Sequence, residues 1–223
     1  MNVGDNEIWD EFRWEKFLRQ QEKKLDKYLE LFYKSTGDPD QKRNIAEAMG
    51  WSSLLGFESE IEEGELPPYS SEVDEELEGE SWKRVAGYEG YDDHHAALDR
   101  LPAFRLAYDF ALSVSNFVDS LSPEMKEDST VVEFLSLSLL AAAKIAGGFE
   151  MGTELDVLGG NIAKCKRALV TSNQVIKALM QLKMRGIVHQ HLYSGLVRGA
   201  VETRNAIAAH IVDLRDQFRS GLP

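Results

Sequence analysis

The amino-acid sequence predicts an all-α protein: an up-down-up-down four-helix bundle with an N-terminal helical hairpin and an acidic linker. Three observations lead to this fold class. Apolar residues recur at spacings of three and four over four long segments after residue 95, the pattern of near-parallel packed helices. The connections between these segments are short, which makes neighbouring helices antiparallel. Period-two alternation, the signature of half-buried strands, is not sustained anywhere in the sequence. We expect an N-terminal arm at 1–57, the linker at 58–95 and the bundle at 96–223.

The N-terminal arm begins with a long amphipathic helix, predicted over residues 7–34. Its apolar stripe consists of Trp14, Leu18, Gln21, Leu25, Tyr28 and Phe32, spaced by four and three. Gly37 is expected to end this helix in a left-handed conformation. Asp38 as N-cap and Pro39 in the first turn then begin a short helix that runs to Met49. Together the two helices predict a hairpin.

The linker is defined by its charge. Residues 58–80 contain eleven acidic residues and no basic one, and mutual repulsion opposes regular structure. We interpret this run as solvated; an acidic strip that mimics nucleic acid is the alternative. Trp82, Tyr88 and Tyr91 are expected to anchor its end to the bundle. The adjacent residues 92–95, Asp-Asp-His-His, converge poorly on one metal ion.

The four bundle helices are predicted from continuous seams. The first and second seams are Leu101, Phe104, Tyr108, Ala111, Ser115 and Val118, then Val132, Leu135, Leu139, Ala142, Ala146 and Phe149. The third is Leu155, Leu158, Ile162, Cys165, Leu169, Ser172, Ile176 and Leu179, and the fourth is Tyr193, Val197, Ala200, Arg204, Ile207, Ile211, Leu214 and Phe218. Second seams on the first, third and fourth helices consist of Ala107, Val114, Ala168, Val175, Leu182 and Val201. Ser122 caps the second helix, glycines 147, 148 and 152 surround its end, and Gly186 closes the third.

Composition favours a cytoplasmic protein. The N-terminus lacks the basic start and apolar stretch of a secretory signal, and Cys165, the single cysteine, is expected to be a small buried hydrophobe. The apolar stretch 134–143 is too short to span a bilayer. Residues 1–95 hold 25 acidic and 11 basic residues, a net charge of −14, whereas residues 96–223 hold 13 and 14, a net charge of +1. This balance opposes sequence-independent nucleic-acid binding.

The residues that could carry chemistry form no catalytic arrangement. The paired Glu-x-x-His motifs of di-iron bundles are absent from the sequence, and the glycine pairs 147–148 and 159–160 lack the spacing of a phosphate-binding loop. His189 and His191 face different sides of a helix and are expected to be exposed. We therefore expect no cofactor, no metal and no catalytic residues.

Basic residues on the third and fourth helices are the candidates for partner binding. Lys164, Lys166 and Arg167 make the third helix the most basic element of the chain, although a wet helix face is the commoner explanation of such residues. Arg204 falls on the seam of the fourth helix, where it either extends its charge to solvent or contacts a partner subunit. These four residues are the predicted binding positions.

Residues 104–187 resemble a known family, the bacterial four-helix bundle proteins associated with intervening sequences in large-subunit ribosomal RNA genes. The family's first-helix tyrosine is matched by Tyr108, its Ile-Ala-Glu-Gly motif by residues 145–148 with Gly147 in place of glutamate, and the regular leucines of its third helix by Leu158, Leu169 and Leu179. The resemblance implies a four-helix fold and cyclic oligomers. A relative, the accessory protein of diversity-generating retroelements, implies nucleic acid as an alternative partner.

Three hypotheses follow for the function. The first is a non-catalytic scaffold that forms homo-oligomers or binds a protein partner, because apolar seams exceed what one core needs. The second is RNA or nucleoprotein binding through the basic residues of the third helix. The third is a ligand or metal site inside the bundle. No membrane partner is expected.

Overall fold

The protein is described from a computed structural model over residues 8–52 and 96–222. These residues form an all-α structure without strands. The predictions for residues 53–95, which include the whole acidic linker, its aromatic anchors and the Asp-Asp-His-His sequence, lie outside the described residues. The helices are α1 (Glu11–Lys34), α2 (Gln41–Met49), α3 (Pro102–Asp119), α4 (Pro123–Lys126), α5 (Ser129–Phe149), α6 (Leu155–Met184) and α7 (Gln190–Gly221).

The chain divides into two compact units. Within the described residues, the first unit combines 8–15 with 96–222 and the second contains 16–52. Helix α1 begins in the first unit and continues in the second, and none of its residues is buried.

In the second unit, the turn between α1 and α2 confirms one prediction and corrects another. Gly37 has a φ of 89°, as expected for a left-handed helix terminator. Helix α2 starts at Gln41, two residues after Pro39, because the Asp38 carboxylate accepts hydrogen bonds from the Asp40 amide and the Asn44 side chain, each at 2.9 Å. Asp38 therefore stabilises the turn before α2 and does not cap the helix directly.

In the first unit, each of the four long helices packs against two others: α3 with α5, α5 with α6, α6 with α7, and α7 with α3. Two hydrophobic clusters hold them together. One joins the C-terminal half of α3 and the N-terminal half of α5 to the end of α6 and the start of α7. The other joins the opposite end of each helix, with Ile145, Ile162 and Ile207 near its centre.

The predicted seams of α6 and α7 largely match the buried faces, whereas those of α3 and α5 are correct only in part. Ala111, Val118 and Ala142 are buried as predicted, but Tyr108, Val132 and Leu139 are exposed. The buried positions of α3 are Ala103, Ala107, Phe110, Ala111, Val114, Phe117 and Val118, and those of α5 are Val131, Phe134, Ser138, Ala141, Ala142, Ile145 and Gly148. Both helices are thus rotated about their axes from the predicted orientation, by about one residue.

The start of α5 also differs from the prediction. Ser122 is an N-cap, accepting a hydrogen bond from the Met125 amide at 3.4 Å, but the helix that it caps is the four-residue α4. Asp128 caps α5 instead, and its carboxylate accepts the Thr130 amide at 2.9 Å. At the other end, Gly147 and Gly148 lie inside α5 and Gly152 has a φ of 95° after it.

Helix α5 has the length and composition of a membrane-spanning helix, with a mean hydropathy of 1.6. The apolar stretch 134–143, expected by itself to be too short to span a bilayer, is thus part of a longer apolar helix of 21 residues. Buried helices of soluble proteins pass the same test, and Phe134 and Ile145 of α5 are fully buried in the two clusters. The helix is compatible with a soluble protein.

Candidate functional site

The first turn of α1 packs directly on α6. Asp10 caps α1 by accepting hydrogen bonds from the amides of Phe12 and Arg13, at 3.1 and 2.8 Å. A Cβ atom on Gly159 would collide with backbone atoms of Trp9 and Asp10. The glycine therefore permits a close approach of the two backbones.

Two carboxylates of this first turn pair with cations of α6 and α7. Glu11 accepts hydrogen bonds from Arg215 at 2.8 and 3.1 Å and lies 3.7 Å from the Lys166 ammonium. Glu15 accepts from Arg167, whose Nε is 2.9 Å from its Oε2. We call Glu11, Glu15, Lys166, Arg167 and Arg215 the carboxylate–cation cluster. Two-point arginine–carboxylate pairs fix the orientation of both partners.

The predicted binding residues are therefore placed in different surroundings. Lys166 and Arg167 belong to the carboxylate–cation cluster, and the Lys166 ammonium also lies 4.5 Å from the centroid of the Phe12 ring. Lys164 is half-buried on α6. Arg204 is half-buried on α7 and donates to the neighbouring Asn205 amide oxygen at 2.8 Å. RNA binding through the α6 cations stays a prediction, and it would have to compete with Glu11 and Glu15.

Sequence reasoning missed the carboxylates and Arg215. Glu11 and Arg215 are 204 residues apart, and no periodicity relates two such distant positions. The available signal was local: two carboxylates four residues apart in one helix, Glu11 and Glu15, lie on the same face, so they favour a cationic partner.

The solvent-facing side of α5 is a second candidate surface. Val132, Leu139 and Leu140 are 48%, 52% and 43% exposed. Ser136 and Ala143 are also exposed, and with Val132 and Leu139 they form one stripe at spacings of four, three and four. We call Val132, Ser136, Leu139, Leu140 and Ala143 the α5 outer face. An exposed apolar stripe of this kind marks an interaction site more often than a scattered apolar residue does.

The remaining histidines and the cysteine of the described residues are not part of the carboxylate–cation cluster. Within residues 8–52 and 96–222, no group of three or more histidine, cysteine or acidic side chains could hold a metal ion. The exposed His189 and His191 rings stack with centroids 6.1 Å apart. Cys165 is completely buried, and burial raises the pKa of its thiol to about 12. A thiol of this kind is a poor nucleophile at neutral pH.

Comparisons with known proteins give no match: no protein-family model, no curated protein and no solved structure is similar to the chain. The resemblance to the intervening-sequence family therefore stays a prediction.

Proposed function

We propose that this protein is a non-catalytic scaffold that forms homo-oligomers through the α5 outer face. The observation that carries the proposal is the exposure of Val132, Leu139 and Leu140 on one side of a helix. Burying such side chains against a second copy contributes about 25 cal/mol for each Å² of apolar area removed from water.

The symmetry of the apolar stripe favours a second copy as the partner. Val132, Ser136, Leu139 and Ala143 are spaced by four, three and four residues, so the stripe reads the same in both chain directions. In an antiparallel pair of α5 helices, Val132 of each copy lies opposite Ala143 of the other. Leu139 is then near the two-fold axis. A self-complementary surface of this kind is what a two-fold dimer requires.

The proposal includes the arrangement of the helices that present this face. We propose an up-down-up-down four-helix bundle over residues 96–223, preceded by the arm at 1–57 and the linker at 58–95. Two hydrophobic clusters that join alternate ends of α3, α5, α6 and α7 support it. The proposed location is the cytoplasm.

Size-exclusion chromatography with light scattering tests the oligomer. The full chain is expected to give a dimer or a larger closed oligomer, and Leu139→Glu is expected to give a monomer because it places a charge near the two-fold axis. Val212→Glu on α7 is the matched control, since Val212 is also exposed but lies outside the α5 outer face. A monomeric parent protein at all concentrations contradicts the proposal.

Vesicle flotation separates this proposal from membrane insertion of α5. A scaffold stays with the soluble fraction and keeps its oligomeric mass without detergent. Flotation of the parent chain with loss of flotation in Leu139→Glu would instead assign the face to lipid.

A further inference from the structure

A cleft of about 620 Å³ lies between α3 and α7. This volume falls within the range of small-molecule sites in proteins, about 300–1,000 Å³. Its floor is apolar and aromatic, with Phe110, Phe117 and Leu196 buried at its base. The cleft contains no residue of α5, so it is separate from the α5 outer face.

Gly199 and Gly195 of α7 shape the cleft in different ways. At one end the two helices are close, because the Thr203 hydroxyl donates to the Leu106 carbonyl at 3.2 Å. One turn further along α7, a Cβ atom on Gly199 would lie 2.9 Å from Cδ2 of Phe110. A Cβ atom on Gly195, one more turn along, would meet no atom within 4 Å. The missing side chain at Gly195 therefore leaves a volume that the neighbouring residues do not fill.

The carboxylates of the cleft lie at one end. Asp109 and Glu202 line it, no lysine or arginine is among its described lining residues, and its histidine, His191, comes eleven residues before Glu202 on α7, at the other end. Because Leu106 contacts Thr203 and Phe110 faces Gly199, Asp109 and Glu202 lie at the same end of the cleft. Asp109 lies 4.0 Å from Arg105 in an ion pair whose side chains are both largely exposed, and such pairs contribute little.

The opposite end of the cleft is lined by the polar side chains of Asn116, Ser120 and His191 and has no carboxylate among its described lining residues. An aromatic floor leading to a carboxylate end suits a molecule with an extended apolar body and one positive charge, since cations are attracted both to aromatic faces and to carboxylates.

We propose that the cleft between α3 and α7 binds a small organic cation, a primary or substituted amine with an extended apolar body. The apolar body packs on Phe110, Phe117 and Leu196, and the ammonium group lies beside Asp109 and Glu202. A site of this type buries the ligand's hydrocarbon and keeps its charge at the rim, where desolvation costs less.

Calorimetric titration with three probes that share one apolar body tests the proposal. The probes are phenylbutylammonium, phenylbutanol and phenylbutyrate, added to the full chain. The cation is expected to bind more tightly than the alcohol by about threefold to tenfold, and the anion is expected to bind least. Equal binding of all three, or no binding of the cation, overturns the proposal.

Gly195→Leu tests whether phenylbutylammonium binds in the cleft or to the acidic surface of the chain in general. The leucine fills the cleft without changing the charge, so it is expected to abolish binding of both phenylbutylammonium and phenylbutanol. Gly147→Leu is the control, because Gly147 is also helical with no atom within 4 Å of a built Cβ, and it should bind as the parent does. Unchanged binding to Gly195→Leu overturns the proposal.

The double variant Asp109→Asn, Glu202→Gln tests the carboxylates. It is expected to remove the preference for the cation and to leave phenylbutanol binding intact. An unfolded variant would lose phenylbutanol binding as well, so retained binding shows that the variant is folded. A preference for phenylbutylammonium that survives both substitutions overturns the role of this end of the cleft.

Discussion

Arg167 of α6 and Glu15 of α1 form a two-point ion pair, with Nε 2.9 Å from Oε2 and Nη2 3.4 Å from Oε1. The two side chains are only 12% and 22% exposed. A pair this well shielded from water interacts more strongly than a surface pair. It also places the charge of Arg167 next to a carboxylate of its own chain, which any anionic partner would have to displace.

Glu15→Gln is expected to lower the free energy of unfolding by about 1–3 kcal/mol, because it replaces the charged partner in this shielded pair with a neutral amide. Urea unfolding measures the change. In the double-mutant cycle with Arg167→Met, the effects of the two substitutions should be strongly non-additive. Glu30→Gln is the control: the Glu30–Lys34 pair is exposed, so this variant should unfold like the parent. Additive effects of Glu15→Gln and Arg167→Met would contradict the expectation.

Gly159→Ala is expected to detach the first turn of α1 from α6. The added methyl group would lie 2.9 Å from the Asp10 carbonyl carbon and closer still to the Trp9 oxygen, and backbone atoms cannot move aside as a side chain can. Hydrogen exchange at the amides of residues 11–15 measures the result, and we expect it to become faster.

Gly147→Ala is the matched control for this variant. A Cβ atom there meets nothing within 4 Å, so the substitution should raise the free energy of unfolding by about 0.5–1 kcal/mol through lower chain entropy in the unfolded state. Exchange at residues 11–15 should not change. Protection of these amides in Gly159→Ala equal to that in the parent would show that the close approach is not required.

The helix faces show how far periodicity can predict this fold. On α6 the predicted Leu158, Ile162 and Leu179 are buried, as their helical spacing predicts. On α5 the apolar residues surround the helix, so the seam through Val132 and Leu139 fits a period of 3.6 as well as the buried seam through Phe134 and Ile145. The same apolar residues on all sides of α5 make its buried face hard to predict and form the exposed α5 outer face.

A cap candidate in front of a proline does not by itself locate a helix start. Ser122 before Pro123 is a cap, but of α4, and Asp38 before Pro39 stabilises the turn before α2. Asp128, followed by Ser129 and Thr130, is the local signal for the start of α5, and the prediction follows the proline five residues earlier instead. The cleft between α3 and α7 was beyond sequence reasoning, because it depends on which turn of α3 faces Gly195.

Arg185→Gln is expected to raise the pKa of Asp128. Hydrogen bonds from the Arg185 guanidinium are the main cause that lowers this pKa to about 2. A carboxyl group with a lowered pKa in the folded state stabilises the protein above its unfolded pKa of about 3.9, and this contribution is lost as the pH falls towards 2.

Carboxyl chemical shifts followed by NMR through an acid titration measure the pKa of Asp128 directly. In Arg185→Gln the midpoint should move towards the ordinary aspartate range. Lys126→Gln is the control, because Lys126 lies 3.9 Å from Asp119 and should not influence Asp128. An unchanged midpoint in Arg185→Gln would assign the low pKa to the helix cap alone.

Cys165 is expected to resist alkylation by iodoacetamide at about pH 8 in the native protein, since its thiol is fully buried and its pKa is raised to about 12. Mass spectrometry counts the modified thiols, and urea should expose this one. Ser194→Cys places a second thiol on the exposed side of α7, and that variant should gain one modification quickly. Two rapid modifications would show that α6 opens at Cys165 in the native state.

A small cavity in the interior is expected to hold one ordered water molecule. The cavity, about 10 Å³, is lined by Ser138, Ser172 and Thr203, and it is close to the smallest volume that accepts a water molecule. The Ser172 hydroxyl is buried and, within the described residues, has no hydrogen-bond partner. The hydroxyls of Ser138 and Thr203 donate to the carbonyls of Phe134 and Leu106, so each can still accept a hydrogen bond.

A water molecule there would donate to Ser138 and Thr203 and accept from Ser172, which satisfies all three hydroxyls. A high-resolution crystal structure of the parent chain should show its density. In Ser172→Ala the water loses its only hydroxyl donor among these three residues, and its occupancy should fall or vanish. Ser113→Ala, an exposed position on α3, should leave it unchanged. A dry cavity in the parent structure would mean that the Ser172 hydroxyl remains unsatisfied, at a cost of about 1–3 kcal/mol, and Ser172→Ala would then stabilise the protein.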